Sequence, residues 1–537
     1  MTAITRKKTA KRKERESAAA ASSTMPVAVI DIGTTSVRMI VAQADGQGGI
    51  RTLDFLHQAV SLGKDTFTRG NIARSSIEEC VQALRSFRKL LEEYQITDDK
   101  RIRAVATTAV REAANIDAFI DRIAIATGIS VEPIDEVEVA RLTYLSFHAS
   151  LHHLPRLARA DVVIAEVGGG STELLFLENG VVAFSKTYRL GTMRMREMLE
   201  EFHAPAGRQR AILQSHIQQT IKAIRQSITP SAALNLIALG SDARFAAAQI
   251  LDNYDPDRPT ALGVKDLAAF TEDTLQQSPN ELVRRYHLPF PDAETVGQAL
   301  LFYVNLAKSF GTKEILLTNI SMRHGLLLEL LGHATWTRDF RGQIMHSALE
   351  IARKYEADTA HAKHVAHLCE LLFDALAEEH RLGPRWRLFL GVAGLLHDIG
   401  SFVSARSHHK HSMYLIQNSE LFGLGAHDVL LVALIARYHR RASPKPTHVG
   451  YAGLERRERQ AVAKAAAILR VADALDRSYS QRIRTVSCAI EENRFVVTTR
   501  GTVDLSLEQL ALKNKGPLFE EVYGLGVVLR NARAGAE

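Results

Sequence analysis

The chain has 537 residues, 46% hydrophobic and 24% charged, which is too long for one compact core and leads us to expect three or four structural units. No uninterrupted apolar stretch is long enough to cross a bilayer, which argues against a membrane-spanning protein. The three cysteines, Cys80, Cys369 and Cys488, stand too far apart for a disulfide framework or a thiolate zinc site, so a reducing, cytoplasmic setting fits.

The net charge of +7 is unevenly spread: residues 1–24 hold seven Lys and Arg against two Glu and supply five of those charges. This segment has no apolar core of the length a secretory signal needs and reads as a disordered basic tail. A solvated arm is its ordinary meaning, and no specific nucleic-acid partner is expected.

Beyond the tail, Ala28–Ile40 can be laid on Val163–Leu175 at an offset of 135 residues. Asp31 then faces Glu166, Gly33 faces Gly168 and Ser36 faces Ser171. Each copy reads as an apolar strand, an acid, a small-residue turn and a second apolar strand, which is a hairpin. A Walker loop or a dinucleotide fingerprint would instead need a glycine loop opening a helix at a spacing absent here. Between the copies, helical patterns run over 76–95, 116–127 and 136–151, and a further one over 207–227, so mixed strand–helix lobes are expected to about residue 335. From Asp339 long helical runs rich in histidine continue to about Arg482, followed by strand-like Arg484–Ile490 and Arg494–Thr499. The expected divisions are 1–24 tail, 25–150 first lobe, 151–335 second lobe, 336–482 helical domain and 483–537 small α+β piece.

The two turns, Gly33-Thr34-Thr35-Ser36 and Gly168-Gly169-Gly170-Ser171-Thr172, combine backbone N–H groups that can approach an anion with hydroxyl donors. Either turn alone is as easily a plain tight hairpin. Two copies with matched acids point to phosphate, with Asp31 and Glu166 suited to Mg²⁺, a hard cation that takes oxygen ligands.

On these loops the first half resembles the exopolyphosphatase and guanosine pentaphosphate phosphohydrolase family of the actin-like (ASKHA, ribonuclease H-like) superfamily. Ala106–Asn115 is similar to that family's signature segment, giving Arg111 a phosphate-binding role. Ile134–Leu142 is similar to its motif with the catalytic glutamate, which aligns with Glu138, and Asn319–Leu327 to the segment closing the second lobe. Spacing does not separate Glu138 from the neighbouring first-turn acids Asp135 and Glu136. This chain departs from the pattern in three places: Glu166 replaces an aspartate, the usual double glutamate reads Glu138-Val139, and Leu239–Arg244 stands where a Gly-Gly-Thr loop is common, with Arg244 or Arg323 as compensating charge.

In the helical half, His361, His397-Asp398 and Asp473 resemble, in that order, the ligands of the HD superfamily of metal-dependent phosphohydrolases. Imidazole and carboxylate together suit Mn²⁺, Fe²⁺ or Zn²⁺, and His408–His411 and Arg437–Arg441 could line the same pocket. A lone helical histidine such as His364, His367 or His380 is more often a packed residue.

The resemblance thus implies an actin-like two-lobed α/β catalytic half, an all-α HD-type domain and a small α+β end. It also implies Mg²⁺-assisted release of terminal phosphate from inorganic polyphosphate, and a homodimer. Hydrolysis of guanosine pentaphosphate is the nearest alternative; a regulatory protein binding polyphosphate or alarmone without turnover is another, and activity of the HD-type half a third.

Overall fold

In the computed structural model the described residues are 25–45, 49–151, 154–201, 206–230, 233–256, 258–332, 337–440, 442–500 and 504–532. The basic tail lies outside them. The chain divides into two compact units, Met1–Thr335 and Trp336–Glu537.

The first unit contains the same plan twice. Its first sheet has the order β3-β2-β1-β4-β5, with β1 Val27–Ile32, β2 Ser36–Ala44, β3 Ile50–Ala59, β4 Ile102–Ala106 and β5 Val131–Pro133. Its second has β6 Asp161–Val167, β7 Thr172–Glu178, β8 Val181–Tyr188, β9 Leu234–Leu239, β10 Thr260–Gly263 and β11 Glu314–Leu317, in the order β10-β11-β9-β6-β7-β8. In each, a central strand pairs antiparallel with its hairpin partner and parallel with the next strand, β1 with β2 and β4, β6 with β7 and β9. A strand covered on both faces reads as a near-continuous apolar run, and β1, Val-Ala-Val-Ile-Asp-Ile, is buried at every position, its one acid, Asp31, lying next to the strand's last residue.

Helices cover these sheets. Arg74–Glu93 buries Cys80, Val81, Leu84, Phe87 and Leu91, the three-and-four spacing of one helical side, against the first sheet. Val296–Phe310 is buried nearly all round and fills the core of the second lobe. The helix Met322–Leu330, although it follows the second lobe in the chain, returns to the first: Leu326 and Leu327 share a core with Val27, Val29, Val105 and Leu142. Its approach to the helix Glu136–Ser150 is close enough that a Cβ on Gly325 would stand 2.3 Å from the Leu142 carbonyl oxygen.

The second unit is helical around Pro384–Leu396, whose apolar run Leu388–Leu396 is wholly buried. Strands β12 Val486–Glu491, β13 Arg494–Thr499 and β14 Gly526–Asn531 form a three-stranded sheet at its end. That end belongs to the same compact unit, because the helices Ser506–Lys515 and Pro517–Tyr523 pack on Arg456–Leu475. No helix among the described residues is long and apolar enough to cross a membrane.

Candidate active site

The two duplicated hairpins close with the same bond: Gly33 N–H donates to Ser36 O at 2.9 Å, and Gly168 N–H to Ser171 O at 2.8 Å. They meet each other. A Cβ on Gly169 would stand 2.9 Å from the Thr34 side chain, so only glycine allows this approach. The Thr108 and Ser171 hydroxyls are 3.1 Å apart. A cleft of about 120 Å³, open to solvent, lies along both turns and is lined by Gly33, Thr34, Thr35, Ser36, Gly168, Gly169, Gly170 and Ser171.

Pairing register decides which neighbours of the turns face this cleft. Glu166 lies opposite Glu173, and Asp31 opposite Arg38, so the residue that pairs with the duplicated acid across each hairpin is an acid in one copy and a base in the other. All four line the cleft. Thr172, expected to bind phosphate, does not: strand alternation turns its side chain away, and its hydroxyl donates to the Leu190 carbonyl.

Arg111 lines the cleft, held by bonds from its guanidinium to the Ile134 carbonyl at 2.8 Å and to Glu136 at 3.2 Å. Arg323, at the start of the helix Met322–Leu330, donates to Asp31 Oδ2 at 2.7 Å. Asp242 and Asp292 stand among the lining residues as well.

Glu138 requires correction. It does not line the cleft; its two carboxylate oxygens are taken by the buried Arg141, at 2.6 and 2.7 Å, and Arg141 also bonds Glu329 at 2.7 Å. Consecutive residues on a helix point about 100° apart, and the neighbours that face the cleft are Glu136 and Val139. Valine therefore occupies the cleft-facing member of the Glu138-Val139 pair, where the resembling motif has a second glutamate.

Burial pushes Glu173 up to about 7, with the charge of Glu166 adding to the shift and a bond from Ser171 opposing it. Burial likewise raises Asp242 to about 7, helped by Asp292. It also raises Glu166, against the pull of Arg323, Arg244 and Arg38. Carboxylates pushed toward neutrality in a cleft are suited to exchange a proton with water. Of these, Glu173 could have been found from the duplication, since it is Arg38 displaced by 135 residues. Asp242 and Asp292 carry no local pattern.

For a divalent cation the residues at the turns fit. Asp31 Oδ1 is buried without a hydrogen-bond partner, and Glu166 offers a second carboxylate on the same cleft.

In the second unit His361, His397 and Asp398 bring ligand atoms within 4.8 Å of one another. The Nε2 atoms of His361 and His397 are buried and unpartnered, which also fits a metal. Asp473 stands at their edge, its Oδ1 at 3.8 Å from His361 Nε2 and its other oxygen held by Lys515. His380, by contrast, bonds the Phe373 carbonyl at 2.8 Å, an ordinary packed histidine.

Similarity to known proteins agrees with this picture. The model of the Ppx/GppA phosphatase family matches residues 39–334, and that of Ppx/GppA phosphatase domain III matches residues 345–518. An exopolyphosphatase from Cytophaga hutchinsonii superposes with a TM-score of 0.51 at 21% identity, over 58% of this chain and 100% of that one. An exopolyphosphatase-like protein gives 0.50 at 22%, over 57% and 98%. A family member from Aquifex aeolicus gives 0.47 at 24%, over 57% and 97%. The duplicated lobes are an actin-like fold, and the enzyme class is a phosphatase. The chain belongs to the Ppx/GppA phosphatase family.

Proposed function

We propose that this phosphatase releases terminal orthophosphate from inorganic polyphosphate, with Glu173 rather than Glu138 as the carboxylate that orients and deprotonates the attacking water. The observation that carries the reading is the contact of the two small-residue hairpins, Gly169 against Thr34, with Ser171 also meeting Thr108 at the start of the helix Thr108–Arg111, over a cleft that also receives Arg38, Arg111 and Arg323. Backbone N–H groups and hydroxyls of both turns would hold the outer phosphates, and Arg111 the next along the chain. Mg²⁺ held by Asp31 and Glu166 would neutralise charge on the phosphoryl oxygens. Glu173, on the strand leaving the Gly168–Ser171 turn, would accept the water's proton at its carboxylate, a role that suits a group poised near neutrality. In phosphoryl transfer most of the rate comes from positioning and charge neutralisation, so a cleft with three arginines and two hydroxyl-rich loops supports the reading by its composition alone.

A second reading, binding of polyphosphate or guanosine pentaphosphate with little turnover, is favoured by Val139, an apolar group at the cleft where a carboxylate would be expected. Phosphate release measured on long-chain polyphosphate and on guanosine pentaphosphate, with Mg²⁺, separates the two. Release from polyphosphate is expected to be the faster. Release from the nucleotide alone would move the substrate assignment, and binding of both without release would replace hydrolysis by sensing.

A further inference from the structure

Three successive carbonyls of the second turn are held from one side. Thr192 N–H donates to Gly168 O at 3.0 Å, and Met193 and Arg194 N–H donate to Gly169 O at 2.9 and 3.2 Å. The Arg194 side chain completes the set, its Nε–H donating to Gly170 O at 3.0 Å. Thr192, Met193 and Arg194 open the helix Thr192–Glu201, whose first N–H groups have no acceptor within the helix and find one in the turn. The approach is tight: a Cβ on Gly191 would stand 2.3 Å from Gly169 O and 2.2 Å from the Gly170 carbonyl carbon.

In a trans peptide the C=O and the N–H that follows it point in opposite directions. With the carbonyls of Gly168, Gly169 and Gly170 drawn toward the helix, the N–H groups of Gly169, Gly170 and Ser171 are turned away from it. Among the described residues none of these three donates to a backbone carbonyl. Successive N–H groups aimed the same way form an anion-binding concavity. The first turn is supported in a similar manner by fewer bonds, Val60 N–H to Thr35 O and Gly63 N–H to Thr34 O, both at 2.9 Å, where the helix Leu62–Arg69 begins.

Arg194 also ties this support to the first lobe. Its terminal nitrogen donates to both oxygens of Glu112, at 3.0 and 2.9 Å, one of which the exposed Arg189 shares. Its guanidinium lies 4.0 Å over the ring of Phe67, on the helix Leu62–Arg69. Glu112 follows Arg111 directly, so one side chain joins the Gly170 carbonyl to the residue next to the arginine of the cleft. Neither Arg194 nor Glu112 lines the cleft itself.

We propose that Arg194, braced by Glu112, is a positioning residue for the phosphate site, fixing the Gly170–Ser171 peptide with its N–H toward the substrate and setting the second turn against Arg111. The inference rests on the reading of the two turns as the phosphate site and adds what holds the second of them in its binding shape.

The test uses the full-length chain with Mg²⁺, measuring tripolyphosphate binding by calorimetry and kcat and KM for phosphate release from long-chain polyphosphate. The variants are Arg194→Gln, Glu112→Gln, the pair together, and Arg196→Gln. Arg196 lies on the same helix and is ion-paired with Glu197 and Glu294, away from the turn, so it controls for lost stability. Arg194→Gln should weaken tripolyphosphate binding about tenfold or more, the order of one charge-assisted hydrogen bond, and lower kcat/KM at least as far. Glu112→Gln should lose less in the same direction, and the double variant no more than Arg194→Gln alone, because the two act as a unit. Arg196→Gln should lower the thermal midpoint while leaving the affinity within about twofold. A folded Arg194→Gln that binds and turns over like the unaltered chain would overturn the inference and leave the reading of the cleft standing. Equal losses of affinity in Arg194→Gln and Arg196→Gln would overturn it too, as general loosening. Should Arg194→Gln not fold, unchanged affinity in Glu112→Gln decides against it. An unaltered chain that binds no tripolyphosphate would remove both the inference and the reading, whereas binding that depends on Arg194 without phosphate release would remove hydrolysis alone.

Discussion

Glu138 and Glu173 differ in what holds them. Glu138 stands in the first turn of a helix, where Arg141 one turn along neutralises it, whereas Glu173 projects from the strand after the second turn into a cleft that already contains Glu166. Local sequence could not separate Asp135, Glu136 and Glu138, because three acids in one helical turn satisfy the same dipole argument. Asp135 is spent on the cap, accepting from Glu138 N–H at 2.8 Å, and Glu136 on Arg111. Because burial raises Glu173 to about 7, the folded protein binds a proton there between the ordinary carboxylate range and about pH 7 that the unfolded chain has released. The sign follows: Glu173 costs stability progressively as pH rises through that window. Thermal midpoints measured without Mg²⁺ at pH 5.5 and pH 8 should therefore fall with pH, and the fall should be smaller in Glu173→Gln. An equal fall in the variant would remove Glu173 as the cause.

At the scale of elements, the hairpins were legible because each carries its own signature, an apolar run, an acid and a small-residue turn, repeated at a fixed offset. The long amphipathic helices were legible too: the expected 116–127 is the observed Ile116–Thr127, and 136–151 is Glu136–Ser150 to within one residue. Contacts distant in sequence were not legible. Tyr303, in the core helix of the second lobe, reaches under the second turn, where its hydroxyl accepts from Val167 N–H at 2.9 Å and donates to the Leu239 carbonyl. Nothing local marks it out. Tyr303→Phe leaves that buried N–H unpaired and should cost about 1–3 kcal/mol of stability, read by urea denaturation. It should also lower phosphate release by loosening the Gly168–Ser171 turn. Gly325 is a second such contact: Gly325→Ala drives a methyl into the Leu142 carbonyl and should lower the thermal midpoint by several degrees, while the same change at Gly311, whose Cβ would meet nothing, should do so only through its left-handed backbone, φ 71°.

For the molecule as a whole, duplication explains more than composition does. Two copies of one sheet plan bring two acid-and-glycine turns together, and the returning helix Met322–Leu330 adds Arg323 to Asp31, which is why a cleft forms between segments 135 residues apart. The net charge of +7 gave no such guidance, since most of it lies in residues 1–24. The histidine cluster was visible in sequence as a ligand order, but the closeness of His361 to His397 and Asp398 depends on how the helices Thr359–Ala375 and Pro384–Leu396 pack, and no spacing encodes that. The most direct measurement is the initial rate of phosphate release from long-chain polyphosphate with Mg²⁺ for Glu173→Gln and Glu138→Gln beside the unaltered chain. Glu173→Gln should lose about 100-fold or more in kcat, the usual worth of a general base, and Glu138→Gln less than about tenfold, mainly through stability. A collapse of Glu138→Gln with Glu173→Gln still active would contradict the assignment of the water-activating carboxylate to the strand that leaves the second turn.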